Sequence, residues 1–422
     1  MSKGKIFSIF LILFSFFSIW FLFENNNAKT TQKFLEDSFL ELGKKLKMKR
    51  LIAEEKETFG KKIKSQPPSW FLEQIYEDFD YLTNKKISEI DVEEAFRKLK
   101  SHANFIHIKI IDNEIYYKLS DVIEEGVEDR EIFAALKFIS KYTKLPNVDF
   151  ILSAWDMFPS DFSKFQAPIF SYAVNINYRE NRILIPDRFT IKTWPEIYYQ
   201  ILELNKEIPW ESKLEKAYWR GATACVFYNK NDFRNSYDVK ITENNYKLCP
   251  RIKLVELSKE RPDLLDAAFV SYRQFSKEAE DILKTNYPLA KNATKKEHLQ
   301  HKIQVNMEGN SCTFPGFKWR LLSNSITFKE ESDDIQWFYR LFKPYEHYIP
   351  IKKDMSDFEE KFEWVKEHDG DAKRIAEQAS KLVQENLKFT DIVWYLLVLM
   401  QEYSKLQNFT PQVDERFKKY EG

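Results

Sequence analysis

Apolar strand-like runs alternate with helical segments along most of this chain, and this alternation limits the folds that it can adopt. The run VDFILSAW (148–155) follows a helical stretch near 130–142, and AYWRGAT, AAFVSY, VNMEG and SITFK alternate with further helices. Such a pattern is typical of α/β domains with a largely parallel sheet, and 422 residues are enough for two of them. We therefore predict two Rossmann-like lobes facing a cleft, where ligands bind at the carboxyl ends of the strands.

The predicted domain boundaries follow from shifts in composition. Residues 30–66 are charged and helical, and the prolines at 67 and 68 end this segment because proline cannot continue a helix. The runs FIHIKII and EIYYKL flank Asp112 and Asn113 and read as two short strands. The resulting division is a membrane anchor (1–29), a helical stalk (30–66), a first lobe (67–208), a second lobe (209–388), and a C-terminal helix packing back on the body, followed by a tail (389–422).

The N-terminal run IFSIFLILFSFFSIWFLF, residues 6–23, carries no charge. As a helix it would span about 27 Å, close to the hydrocarbon thickness of a bilayer. A cleaved signal peptide is the alternative, but it would have a shorter apolar core and a small-residue cleavage site, which does not follow here. We therefore expect a single-pass membrane protein, in either the bacterial inner membrane or the ER or Golgi membrane.

Composition narrows the classes of partner and of site. Lys+Arg and Asp+Glu both number 65, so the charge gives no indication of a nucleic-acid partner, and none is expected. Cys225, Cys249 and Cys312 are too few and too far apart for a zinc-binding pattern or a disulfide framework. The six histidines show no HxxxH or HExxH spacing, so no metal site built by the protein is expected.

One carboxylate and two glycine-containing loops are candidates for chemistry. Asp156 ends the apolar run 148–155, where a carboxylate faces the crevice of an α/β sheet and can act as a general base. The alternative is a turn or helix-capping Asp, favoured by the nearby Pro159. Arg220 and Gly221 end the strand AYWRGAT, where glycine allows close approach of a phosphate and arginine supplies charge, although an arginine there can equally be a structural ion-pair residue. The loop EGNSCTFPG (308–316) precedes a helix whose N-terminus would bind an anion.

Two acidic motifs are better explained by structure than by metal binding. Asp78-Phe79-Asp80 has the D-x-D form used by metal-dependent glycosyltransferases, but it lies in a helical stretch rather than at the end of a strand. Asp369-Gly370-Asp371 opens a helix, and helix capping accounts for it.

Taken together, six segments resemble the Rumi-type protein O-glucosyltransferases and the related fungal capsule-associated and bacterial lipopolysaccharide-modifying transferases of glycosyltransferase family 90. The resemblance covers about residues 68–406, in the family's order. The matching segments are LPNVDFILSAWD, PIFSYA, YWRGAT, CPRIKLVELSKERPDLLDAAF, HKIQVNMEGNSCTFPGFKWRLLSNSITFKEES and WFYRLFKPYEHYIPIKKDMSDFEEK.

The resemblance implies a GT-B fold, a UDP-sugar donor, inversion at the anomeric carbon, and no metal or other cofactor. It places Asp156 where the family keeps its catalytic base and Arg251 where the family has a diphosphate-binding arginine. It assigns donor contacts to the turn Arg220-Gly221-Ala222 and to the loop Asn310, Ser311, Cys312, Thr313 and Phe314. Many relatives close this loop with an arginine, whereas this chain has Pro315-Gly316, and Lys318 or Arg320 are the possible substitutes for that diphosphate contact.

The predicted function is therefore transfer of glucose or xylose from a UDP-sugar to an acceptor hydroxyl on a glycan or lipopolysaccharide. Two alternatives stay open at this point. One is transfer to a serine of a polypeptide, and the other is a nucleotide-sugar-binding protein that has lost catalysis.

Overall fold

The computed structural model describes residues 28–82, 86–101, 104–121, 130–156, 164–225 and 241–421. The chain divides into two compact units, residues 1–54 and 55–422. The described part of the first unit is helical and belongs to α1 (Ala28–Lys62). The second unit contains every β-strand of the described residues and the candidate site.

The predicted membrane localisation is contradicted by the helices of the structure. Within the described residues, no helix combines the length and the apolar composition that a membrane span needs. The longest of them, α1, has 35 residues, but charged side chains recur along its sequence, whereas a span requires about 20 mostly apolar residues. The run 6–23, on which the prediction rested, lies outside the described residues. We therefore correct the prediction of a single-pass membrane protein.

The first sheet has six strands in the order β13-β2-β1-β3-β4-β6. Strand β1 pairs antiparallel with β2 and β3, whereas β3, β4 and β6 run parallel. The sequence predicted a largely parallel sheet, and the antiparallel half comes from the β1–β2 hairpin and from β13. Asp112 and Asn113 form the hairpin turn with φ of 49° and 69°, as a two-residue turn requires. The strands are β1 (Phe105–Ile111), β2 (Glu114–Leu119), β3 (Val148–Ser153), β4 (Ile169–Ser171), β6 (Arg182–Leu184) and β13 (Lys418–Lys419).

The second sheet has five strands in the order β12-β10-β9-β7-β8, and every neighbouring pair is parallel. All six residues of β9 are buried, as expected for a central strand covered on both faces. The fold is therefore mixed α/β with parallel strands in both sheets. The strands are β7 (Leu214–Ala222), β8 (Leu265–Ser271), β9 (His301–Asn306), β10 (Ile326–Glu330) and β12 (Ile349–Ile351).

Helices flank both sheets, and a two-stranded ribbon connects the two lobes. In the ribbon, β5 (Val174–Asn175) pairs antiparallel with β11 (Asp334–Ile335). The helices of the first lobe are α2 (Ser69–Asp80), α3 (Glu89–Leu99), α4 (Arg130–Ser140), α5 (Arg188–Glu207) and α12 (Phe389–Ser404). Those of the second lobe are α6 (Pro250–Glu260), α7 (Lys277–Asn286), α8 (Lys295–Leu299), α9 (Gly316–Leu322), α10 (Phe358–Glu367) and α11 (Asp369–Asn386).

Each sheet has its own hydrophobic core, and α9 joins them. Phe317, Trp319 and Leu321 of α9 are buried in the core of the first sheet, although α9 directly precedes a strand of the second. The chain segment from β9 to β10 therefore reaches from one lobe into the other and carries the loop 308–316 to their junction.

A disulfide joins the end of β7 to the start of α6. Cys225 and Cys249 are bonded, with their Cα atoms 6.0 Å apart, whereas Cys312 is free and buried. The sequence analysis judged the three cysteines too few and too far apart for a disulfide framework, whereas the structure bonds two of them. Spacing alone did not reveal this pair because the two cysteines are 24 residues apart.

Candidate functional site

Asp156 lies three residues beyond the end of β3, half-buried at the junction of the two lobes. Burial raises the pKa of its carboxyl above the usual value. The nearby Arg188 lowers this pKa, Asp187 raises it, and a side-chain hydrogen bond with Asn310 lowers it. A half-buried carboxylate with a raised pKa has the properties of a general base.

The loop that follows β9 holds this carboxylate from the opposite lobe. Asn310 bonds the side chain of Asp156, and the Ser311 hydroxyl donates to the Asp156 backbone oxygen at 3.4 Å. The Thr313 hydroxyl donates to the Met307 carbonyl at 2.6 Å, which closes the loop on itself. The structure thus brings the predicted base and the predicted donor loop into contact.

The remaining two loop residues pack against neighbouring aromatic rings. Phe314 stacks on Phe189, with ring centroids 6.1 Å apart, and the Cys312 thiol bonds the Tyr339 hydroxyl. Burial raises the pKa of the Cys312 thiol well above its usual value, so this side chain stays neutral. The helix that follows the loop, α9, has seven residues and no side-chain cap, so an anion site at its N-terminus has less support than the sequence suggested.

Arg251 fastens the ends of β7 and β9 together at the base of the same loop. Its Nε donates to the Glu308 carbonyl at 2.7 Å, and its Nη atoms donate to the Ala222 and Met307 carbonyls at 2.9 and 3.2 Å. A Cβ on Gly309 would lie 2.9 Å from Nη2 of Arg251, so the missing side chain lets the loop pass this close. Three of the five N–H groups of the guanidinium are used on backbone carbonyls.

A buried group of charged side chains lies behind Arg251. Burial and then the neighbouring Arg251 lower the pKa of Arg320 to about 9. The Lys329 ammonium pairs with Glu308 at 2.9 Å. Burial and the charge of Glu308 raise the pKa of Glu330 to about 7. Within the described residues, the Arg320 Nε is buried without a hydrogen-bond partner.

Lys318, the other possible substitute for the missing loop arginine, is paired elsewhere. Its ammonium lies 3.4 Å from Oδ2 of Asp187, and both side chains are buried. Because the Lys318 ammonium is already neutralised by the Asp187 carboxylate, Arg320 is better placed than Lys318 for a diphosphate contact.

Arg220 and Gly221 have structural contacts at the end of β7. Arg220 pairs with Asp266 at 2.9 Å, and its guanidinium lies 4.4 Å above the ring of Tyr218. A Cβ on Gly221 would lie 2.3 Å from the ring of Trp219, so glycine is needed there for packing. Their predicted contacts with a donor remain predictions.

Two residues next to Asp156 were missed by the sequence analysis, Asp187 and Arg188. They follow β6, which runs parallel to β4 and thus ends at the same edge of the sheet as β3. The segment RILIPD repeats the pattern of an apolar strand followed by Asp, and this signal could have indicated them. Both carboxylate oxygens of Asp187 accept hydrogen bonds from Thr190 at the start of α5. Asp187 is therefore a helix cap, and Asp156 is the better candidate for a base.

The D-x-D motif has a structural role at its first position. Asp78 is fully buried in α2 and pairs with Arg179 at 2.7 Å, and its second oxygen accepts from the Leu184 backbone amide at 2.9 Å. Burial raises its pKa to about 6. Among the described residues, no three His, Cys, Asp or Glu side chains form a group able to hold a metal.

Comparison with known proteins finds a matching family model and relatives with related names. The model of glycosyl transferase family 90 matches residues 63–247 and 242–421. Protein O-glucosyltransferase 2 of Danio rerio is 27% identical over 323 residues, which cover 74% of this chain and 58% of the relative. Human protein O-glucosyltransferase 3 is 25% identical over 352 residues, covering 81% and 62%. The chain thus spans about three-fifths of the length of these relatives.

A solved structure shows a much weaker likeness. The C-terminal CMP-Kdo binding domain of WaaA from Acinetobacter baumannii has 9% identity and a TM-score of 0.24, covering 44% of this chain and 98% of that one. This likeness is too slight to carry an argument. The family match, in contrast, extends over most of the chain. This chain belongs to glycosyl transferase family 90.

Proposed function

We propose that this protein transfers glucose from UDP-glucose to an acceptor hydroxyl, with inversion at the anomeric carbon and without a metal. Asp156 is the base that takes the proton from the acceptor hydroxyl as this oxygen attacks the anomeric carbon. Glucose is chosen over xylose because the matched relatives are named O-glucosyltransferases. The two lobes with their cleft would then be a GT-B arrangement.

The observation that carries the proposal is the contact between Asp156 and the loop 310–314. The base belongs to one lobe and the loop to the other, and Asn310 bonds the carboxyl of Asp156. A donor sugar held by this loop would lie beside the base, which is the proximity that an inverting displacement requires.

Two neighbouring arginines, the half-buried Arg251 and the buried Arg320, would supply the positive charge for a leaving UDP. Arg251 has two N–H groups beyond the three that bond carbonyls. Arg320 lies so close to Arg251 that repulsion between the two charges, together with burial, lowers the pKa of Arg320. Two neighbouring cations of low exposure repel each other until an anion binds. A bound diphosphate would relieve this repulsion. The two arginines would in turn stabilise the negative charge that grows on the diphosphate as the sugar departs.

The acceptor that we propose is a hydroxyl of a glycan. The curated relatives are named for transfer to protein, so a polypeptide acceptor is the second candidate. The two candidate acceptors are distinguished by giving a glycan and a polypeptide in turn to the same enzyme with the same donor and measuring transfer to each.

The test is a donor screen with the chain of 422 residues. UDP-glucose, UDP-xylose, UDP-galactose and UDP-N-acetylglucosamine are assayed for UDP release, with and without EDTA. We expect release from UDP-glucose that EDTA does not reduce. The variant Asp156→Asn should lower the rate by about 10²–10⁴-fold and leave UDP binding by calorimetry unchanged.

The matched control is Asp80→Asn, which changes an exposed carboxylate of the D-x-D motif. It should keep full activity, whereas a loss of activity together with EDTA sensitivity would indicate a metal-dependent enzyme. Full activity of Asp156→Asn would disprove the assignment of the base. UDP binding without release from any donor would favour the catalytically inactive protein.

A further inference from the structure

The disulfide between Cys225 and Cys249 lies directly beside Arg251 along the chain. Cys249 precedes the first residue of α6, and Arg251 is the second residue of that helix. Cys225 lies three residues beyond Ala222, the last residue of β7. Both cysteines are buried, with 5% and 0% of their surface exposed. The bond therefore links the end of β7 to the first turn of α6, which carries Arg251.

Arg251 links the same two segments a second time. One of its Nη atoms donates to the Ala222 carbonyl at 2.9 Å. The other Nη atom and Nε donate to the Met307 and Glu308 carbonyls at 3.2 and 2.7 Å. Because the N–H groups of a guanidinium diverge in one rigid plane, these acceptors fix its orientation. The direction of the two remaining N–H groups, which would bond the diphosphate, therefore depends on where the end of β7 lies.

The other end of α6 has an attachment of its own. The Ser258 hydroxyl donates to the Leu265 carbonyl at 3.1 Å and accepts from the Ala267 amide at 2.8 Å, both in β8. These bonds lie about 10 Å from Arg251 along the helix axis, since each residue of an α-helix advances about 1.5 Å. They hold the helix to the sheet but do not fix the distance between Arg251 and Ala222.

The hydrogen bond between Arg251 and Ala222 holds the two segments only weakly by itself. A carbonyl released by Arg251 can bond water instead, so the net stabilisation from one such bond is small. The covalent link, in contrast, limits how far the Ala222 carbonyl can move when the hydrogen bond breaks. Burial lowers the pKa of Arg251, whereas the charges of Glu330 and Glu308 raise it. A guanidinium that lost the Ala222 carbonyl would be drawn towards these carboxylates.

We propose that the disulfide between Cys225 and Cys249 positions Arg251 for the diphosphate of the donor, so that reduction of this bond weakens donor binding. The inference rests on the proposed UDP-sugar donor, and it makes the two cysteines positioning residues that do not touch the substrate. Reduction by a dithiol breaks the bond between the two sulfurs. Two electrons and two protons pass to the cysteines, which become thiols, and the dithiol becomes a cyclic disulfide.

The test compares the double variant Cys225→Ser/Cys249→Ser with the wild type. Binding of UDP is measured by calorimetry, and binding of uridine, which lacks the two phosphates, is measured by ligand-observed NMR. The matched control is Ser258→Ala, which removes the hydrogen bonds at the other end of α6 and leaves the disulfide in place. Urea unfolding shows whether each variant is folded.

We expect the double variant to raise the Kd for UDP by about tenfold or more, because a hydrogen bond to a charged group is misplaced, and to change the Kd for uridine by less than about twofold. Ser258→Ala should be less stable in urea and keep both constants near those of the wild type. In an Arg251→Gln background, removal of the disulfide should leave the Kd for UDP nearly unchanged, because the arginine that it positions is absent.

Treatment of the wild type with dithiothreitol is a second measurement, which needs no substitution. Because both cysteines are buried, the incubation continues until alkylation and mass spectrometry show that the bond is reduced. The affinity for UDP should fall with the reduced fraction and return when oxidised glutathione restores the bond. The double variant should not respond to the dithiol. This comparison decides the question even if the double variant does not fold.

Unchanged UDP binding after loss of the disulfide would overturn the inference. An equal loss of affinity for UDP and uridine would also overturn it, because the bond would then have a general structural role. Independent effects of the disulfide and of Arg251→Gln would show that the cysteines do not act through the arginine. Failure of the proposed function is distinguishable, because the wild type with its disulfide intact would then not bind UDP.

Discussion

At the scale of the residue, the ionisation of Asp156 determines the pH range of the proposed reaction. A base acts only when deprotonated, so kcat/KM should fall as pH drops through a pKa that burial raises above the usual aspartate value. Arg188→Gln removes a cation that lowers this pKa, so the acid limb of the profile should move to higher pH. The pH profiles of kcat/KM for wild type and variant check this. Lys192→Gln, on the same helix but 68% exposed, should leave the limb in place, and an unmoved limb in Arg188→Gln would contradict the assignment.

The buried carboxyl of Glu330 predicts a pH dependence of stability. Its pKa is about 7 in the folded protein, against 4.5 for a free glutamate, with burial as the main cause. The folded state then binds more protons than the unfolded state between these values, so stability falls as pH rises through this window and levels off above about 7. The fall should amount to a few kcal/mol, since one pKa unit corresponds to about 1.4 kcal/mol.

Glu330→Gln keeps the acceptor for the Glu308 backbone amide and removes the titration. Its free energy of unfolding in urea should therefore vary much less from pH 5 to pH 8. Glu360→Gln, at an exposed position of α10, should keep the slope of the wild type. A slope that persists in Glu330→Gln would show that another group titrates in this window.

At the scale of the element, local pattern predicted the strands but not how they pair. The apolar runs that became β3, β7 and β8 were visible in the sequence because their side chains face a core, whereas the run VNMEG overlaps only the last two residues of β9. The ribbon between β5 and β11 was not, since its two-residue strands pair across 159 positions and neither has an apolar signal of its own. The same limit applies to β13, whose two lysines are exposed.

For the candidate site too, the sequence indicated the individual parts but not their contact. Asp156 and the donor loop were indicated separately, by a strand end and by a glycine-rich connection, and the family resemblance suggested their roles. Their contact joins residues 155 positions apart, which only the packing of the two lobes determines. Asp187 could have been predicted from the sequence, because it follows a strand in the same way as Asp156. Its ion pair with Lys318 could not, because the fold alone brings these two residues together.

The end of β7 gives a prediction at this scale. In Gly221→Ala the new Cβ would overlap the ring of Trp219 at 2.3 Å, and overpacking of this kind costs about 1–3 kcal/mol. The same displacement should weaken UDP binding, because the Ala222 carbonyl accepts a hydrogen bond from Arg251. Urea unfolding and calorimetry with UDP measure the two effects. Gly370→Ala, whose added Cβ would meet no atom within 4 Å beyond its own helix turn among the described residues, should be neutral or stabilising, and equal effects of the two substitutions would contradict this interpretation.

At the scale of the whole molecule, the buried pair of Lys318 and Asp187 joins the two lobes beside the site. Lys318 lies on α9 and Asp187 caps α5, so the pair connects the segment that carries the donor loop with the segment next to Asp156. Burial lowers the pKa of Lys318, and the charge of Asp187 raises it. A buried ion contributes to stability only while its partner is present.

Removing one partner of this pair should therefore cost more than removing both. Lys318→Met leaves a buried carboxylate without its cation and should lower the free energy of unfolding by about 3–5 kcal/mol. Asp187→Asn keeps an amide able to cap α5, and the double variant should recover much of the loss, with a coupling energy of about 1–3 kcal/mol in urea unfolding. The exposed pair of Lys373 and Glu211, 2.7 Å apart, should show no measurable coupling in the same cycle. Additive effects at Lys318 and Asp187 would mean that the pair has no part in bringing the donor loop to Asp156, which would then depend on the apolar packing of α9 and on the ribbon of β5 and β11.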